Sequence, residues 1–106
     1  TGNEREVGRV KLFSVLQDDL STCFVTGSPN VAIHHVFPGN GRRKKCERYG
    51  FVVALEPRYH NMSNYSVHAV PNEGLDLQLK QLAQKYFEAH YGTRDQFINE
   101  FGRSYL

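Results

Sequence analysis

The chain has 106 residues and a formal charge of +2, with 40% hydrophobic and 23% charged residues. That length predicts one small domain with a thin core, burying roughly 60–70% of the surface the unfolded chain exposes. No apolar run nears the ~20 residues of a bilayer-spanning helix, and no charged-then-apolar leader opens the chain, so the expectation is a cytoplasmic protein with no membrane partner.

In chain order, residues 4–20 are mixed: Val10, Phe13, Val15 and Leu16 fit either a short helix or an irregular strand. Gly27-Ser28-Pro29-Asn30 is turn chemistry. Val31 to Phe37 predicts a strand, broken by Pro38-Gly39-Asn40-Gly41. Arg42, Arg43, Lys44, Lys45 and Arg48 follow, opposed only by Glu47. Such a run is either a solvated loop or helix face or a loop that contacts phosphates, where released counterions give affinity with little sequence preference.

Phe51 to Leu55 is the clearest strand, closed by Pro57, and Arg58 to Asn64 fits a short helix. Leu75, Leu79, Leu82, Ala83, Tyr86, Phe87 and His90 recur at helical spacing. They predict a helix over 75–91 whose stripe faces the core and which Gly92 ends. Thr93-Arg94-Asp95-Gln96 has the form of a capping box. Phe97, Ile98 and Phe101 then give a last short helix its buried face, stopped by Gly102. The pattern is α+β: a central two-stranded antiparallel hairpin, a short helix across it, and a C-terminal helical pair whose longer helix packs on the hairpin. A domain this thin leaves room for a homodimer that buries the remainder. Cys23 and Cys46 do not make a disulfide framework, and free thiols fit an intracellular chain.

Histidines carry the chemical signal. His34, His35, His60 and His68 fall in the centre of the chain, away from the C-terminal helices. Neighbours on a strand point to opposite faces, so His34 and His35 enter one site only if the strand ends there, as Pro38-Gly39 suggests. A helix crossing the hairpin would bring His60 to the pair. Two or three neutral imidazoles gathered this way make a divalent-metal site with open positions for water and phosphate, and an unbound histidine beside it can take a proton from attacking water. The competing assignment is that each is a hydrogen-bonded structural residue.

Cys23-x-x-Thr26-Gly27, Val31 to Val36 with the His-His pair, the basic run, Tyr49-Gly50, Leu55-x-Pro57-x-x-His60 and Val67-His68 together resemble the HNH, or ββα-metal, nuclease family. The similarity is greatest to the phage-type branch that includes recombination-enhancement nucleases, and Asp95-Gln96-Phe97-Ile98 … Phe101-Gly102-Arg103-Ser104-Tyr105-Leu106 extends it to the end of the chain. It implies a ββα-metal hairpin-helix core at 23–70, an N-terminal extension at 1–22 and a C-terminal helical part at 71–106, all one nuclease domain. It also implies a phage or bacterial setting and a metal-dependent endonuclease that hydrolyses DNA phosphodiester bonds with low sequence specificity. His34 and His60 match ligands of one divalent cation (Mg, Mn, Zn or Ni), and His35 matches the general base. His68 and Asn40 match positions that contact phosphate or add a ligand, although Gly39-Asn40-Gly41 reads equally as a plain turn. Arg42, Arg43, Lys44, Lys45 and Arg48 would follow the DNA backbone.

Relatives carry a zinc knuckle where this chain has Cys23, Thr26, Glu56 and Tyr59. One thiolate cannot make a four-ligand zinc site, so no structural zinc is expected, with Tyr59, Phe24 and Val25 packing in its place. Cys46 falls in the basic run, outside the knuckle, and reads as an incidental thiol. Two other assignments stay open: a non-catalytic nucleic-acid- or protein-binding module that retains the fold, and a purely structural zinc site joining Cys23 to the histidines.

Overall fold

A computed structural model describes residues 4–7 and 10–106. The elements are β1 (Glu4–Val7), β2 (Val10–Phe13), β3 (Ala32–His35), α1 (Arg42–Tyr49), β4 (Val52–Leu55), α2 (Pro57–His60), α3 (Gly74–His90) and α4 (Arg94–Phe101). They form a mixed α+β structure with two separate two-stranded antiparallel sheets, β1–β2 and β3–β4. No helix among the described residues is long and apolar enough to cross a membrane.

The central pair holds His34 opposite Val53 and His35 opposite Val52. β4 is buried along its whole length, which suits its uninterrupted apolar run. The strand expected over residues 31–37 is regular only over Ala32–His35, although Val36 N still donates to Phe51 O at 3.0 Å. Helix α2 lies against both β3 and β4. It is one turn at Pro57–His60, shorter than the helix expected to Asn64; Pro57 opens it and the Asn61 and Met62 amides close it on Pro57 O.

Residues 4–20 hold a hairpin that neither expected reading contained. Glu4 to Val7 pair with Phe13 to Val10, and Leu12 and Leu20 are buried in the common core. The basic run is helix, not loop. Arg and Lys are good helix formers, and Gly41 and Gly50, both at positive φ, bracket the element. A Cβ on Gly50 would lie 2.6 Å from the Phe13 ring, so that position needs glycine for space as well as for conformation. Cys46 is fully buried on the inner face of α1 and exchanges contacts with Phe37 N at 3.4 Å and Phe37 O at 3.6 Å. It is a core residue, not an incidental one, and burial pushes its thiol up to about 11.

The capping box at Thr93 and Gln96 forms in both directions, and Gly102 ends α4 in the left-handed region. The α3 stripe is rotated from its expected face. Leu79, Ala83 and Phe87 are buried as expected, but Leu82 and His90 are exposed, and Asp76, Lys80 and Gln84 are buried with the apolar residues. Ile98 is likewise exposed. Helix α3 packs most closely on α4, less on the central pair than expected. Between these layers Phe37, Phe51, Phe97 and Phe101 interlock, with Phe37–Phe101 centroids 4.4 Å apart and Phe97–Phe101 5.1 Å apart.

Candidate metal centre

Three histidines meet where β3, α2 and the segment after it converge. Strand alternation sends the His34 side chain to the α2 side of the central pair and His35 to the α1 side. His60 ends α2. The chain then leaves and returns: Val67 N donates to Tyr59 O at 2.8 Å and His68 N to His60 O at 3.3 Å. That return sets His68 beside His60, with Nε2 to Nε2 at 3.0 Å. His34 completes the group, its ring 5.4 Å from His60 and 5.2 Å from His68 between centroids.

One ligand atom from each of these residues lies within 4.8 Å of the other two. A cation about 2.0–2.1 Å from each nitrogen in tetrahedral geometry sets them roughly 3.3 Å apart, so the widest pair would have to close by over an ångström, within reach of side-chain rotation. The donor set is all imidazole, which suits Zn, Cu, Ni or Fe; Mg or Mn would lean on water and phosphate oxygens for the remaining positions. His34 supplies the strongest sign that something belongs there. It is 3% exposed, and its Nε2 has no hydrogen-bond partner among the described residues. A buried polar atom left unpaired costs about 1–3 kcal/mol, a cost that a bound cation would relieve. Burial first, then the rings of His60, His68 and His35, pushes the His34 imidazole down to about 3. His60 is lowered for the same reason, burial first and His68 second. Both shifts favour the neutral form, which has one lone pair to offer a cation; at His60 a cation would take the place of the Nε2–Nε2 contact with His68.

His35 lines the same cleft, of about 410 Å³, but stands apart from the trio. Its Nε2 meets Glu47 Oε2 of α1 at 2.8 Å. A carboxylate can only accept, so in the neutral ring Nε2 carries the proton and Nδ1 the lone pair. Glu47 was read from the sequence only as the acid opposing a basic run. The available signal was that it is the one carboxylate in that run, placed on an inward-turned face once the run is helical.

The basic residues divide. Arg43 lines the cleft, and Lys44 and Arg48 are exposed on α1. Lys45 is turned to α4, donating to Glu100 O at 2.9 Å with the Glu100 carboxylate at 3.3 Å. Arg42 is half-buried against the turn at Pro38 and Gly39 and against Gly102. Asn40 is exposed and lies outside the cleft lining, where Gly39 takes part instead.

Cys23, Thr26 and Glu56 converge through hydrogen bonds. Glu56 N donates to Cys23 Sγ at 3.3 Å, and Thr26 Oγ1 donates to the Glu56 carboxylate, which also pairs with Arg58 at 3.6 Å. Burial raises the Cys23 thiol, but the amide and hydroxyl donors around it outweigh that and bring it below its ordinary value. Tyr59 and Phe24 pack against the core, whereas Val25 is largely exposed and outside the core cluster. Cys23 is not part of the histidine group. Comparison of the chain with protein-family models, with curated proteins and with solved structures gives no match.

Proposed function

We propose that this protein is a divalent-metal-dependent endonuclease that hydrolyses DNA phosphodiester bonds, with β3, β4 and α2 serving as a ββα-metal unit. The observation that carries this reading is a buried, unpartnered, neutral imidazole meeting two others beside a cleft that a fourth histidine enters from another side. His34, His60 and His68 would hold the cation, so His68 is promoted from auxiliary contact to ligand. The cation, when bound, offsets charge on the scissile phosphate and on the leaving oxygen.

The remaining work falls to the chain itself. His35 takes the proton of the attacking water at Nδ1, the nitrogen that Glu47 leaves free. Glu47 holds the ring in that tautomer and stabilises the imidazolium once the proton arrives, as a positioning residue. Arg43 at the cleft, with Lys44 and Arg48 along α1, contacts phosphates. Such contacts position the substrate without reading its bases, in keeping with low sequence specificity.

Nicking of supercoiled plasmid in the presence of Mg²⁺ or Mn²⁺ tests the proposal. His35→Ala is expected to lose activity by a factor on the order of 10²–10⁴, the usual worth of a general base, while keeping its circular dichroism. Full activity in that variant removes His35 from the reaction. Affinity for DNA without cleavage under Mg²⁺, Mn²⁺, Zn²⁺ or Ni²⁺ would make the fold a binding module instead.

A further inference from the structure

The segment between the two histidines carries apolar surface that the metal site does not use. Residues 61–66 leave the fold at His60 and rejoin it through the Val67 and His68 amides. On that excursion Met62 is 75% exposed and Tyr65 51% exposed. Tyr65 stands edge-on to Tyr59, centroids 5.8 Å apart, and the Arg58 guanidinium lies 4.9 Å over the Tyr59 ring. The excursion is itself braced, because Ser63 Oγ donates to Arg58 O and Ser66 Oγ to Ser63 O at 2.9 Å.

We infer that Met62 and Tyr65 form a stacking lip for an unpaired nucleobase next to the phosphate held in the histidine cleft. Three facts favour this occupant over an apolar peptide. The cleft is lined by Arg43 and four imidazoles, with no carboxylate among its described lining residues, so its complement is an anion. Tyr65 offers a half-exposed ring edge-on to Tyr59, whose own face carries the Arg58 guanidinium, so aromatic surface and a cation for a phosphate lie side by side, and stacking tolerates any base because each has a π-face. Tyr65 is also close enough, since three residues at up to about 3.6 Å each keep its Cα within about 11 Å of that of His68. The substrate class at this site is therefore a strand whose base is splayed or unpaired at the cut. The inference takes nucleic acid as occupant from the proposed function and adds what the protein touches besides the backbone.

Binding of a short fluorescent single-stranded oligonucleotide in EDTA tests the lip without relying on cleavage. Tyr65→Ala is expected to weaken binding on the order of tenfold or more, and Tyr65→Phe to retain it. An otherwise identical oligonucleotide with abasic sites should bind wild type and Tyr65→Ala alike. Met62→Ala supplies a second variant at a side chain the core does not use, with a smaller loss in the same direction. Equal affinity of wild type and Tyr65→Ala for the base-bearing strand overturns the lip, as does an equal loss on the abasic strand, which would mean a backbone contact. If plasmid nicking is intact while Tyr65→Ala binds normally, the lip alone fails. If no metal supports cleavage but Tyr65-dependent base binding persists, the lip stands and the hydrolytic reading fails.

Discussion

His34 holds a neutral imidazole that is only 3% exposed, and that has a measurable cost in acid. Its folded-state value near 3 lies below the ordinary 6.5, so between those limits the unfolded chain binds a proton that the folded chain refuses. Stability of the metal-free protein should therefore be fullest above pH 6.5 and fall as the pH drops towards 3, by about 1.4 kcal/mol per pH unit from this one group. Urea denaturation at pH 7, 5.5 and 4.5 in EDTA checks this. His34→Gln should flatten the dependence, and an unchanged slope in that variant would mean that His34 is not the group responsible. The sequence marked His34, His35 and His60 as candidates from their types and spacing. It could not rank His68 with them, because its place depends on the return of residues 61–66 and on two backbone hydrogen bonds rather than on any local pattern.

Helix α1 shows why a charged run can hide an element. Its inward positions are Cys46 and Tyr49, too few to give a helical period against five cations, so the amphipathic signal is weak although the fold uses the helix twice. One face carries Glu47 to His35 and the other presents Lys44 and Arg48 to solvent. The proposed DNA contacts separate residues that the sequence could only group. Lys44→Ala and Arg48→Ala should each reduce the slope of log affinity against log salt by about 1. Lys45→Ala should leave it unchanged, since that ammonium is committed to Glu100 of α4. A salt titration of duplex binding between 50 and 200 mM reads the difference, with equal slopes for all three variants as the contrary result. Helix α3 hides its face for a related reason: Asp76 and Lys80, 2.7 Å apart and both buried, point inward as an ion pair that also engages Asn72. A hydrophobic stripe cannot announce polar residues buried through mutual satisfaction.

The fold as a whole was legible where apolar runs or caps are local, at β4, the Thr93 capping box and the Phe97–Phe101 face, and illegible where it depends on distant partners. The β1–β2 hairpin reads as mixed because charged and apolar residues alternate unevenly along it. The convergence of Cys23, Thr26 and Glu56 is a hydrogen-bonded cluster that no spacing rule describes. The candidate centre belongs to this long-range class, drawing His34 from β3, His60 from α2 and His68 from the returning segment, which come together only in the folded chain. A cation held there must bind the native state far better than the unfolded one and so raise the melting temperature with its concentration. The decisive measurement is the thermal midpoint against free Zn²⁺ or Mn²⁺ for wild type and for His34→Ala/His60→Ala. A rise with the logarithm of metal concentration in wild type and none in the double variant is the expected result; equal shifts in both, or none in either, would contradict the histidine centre.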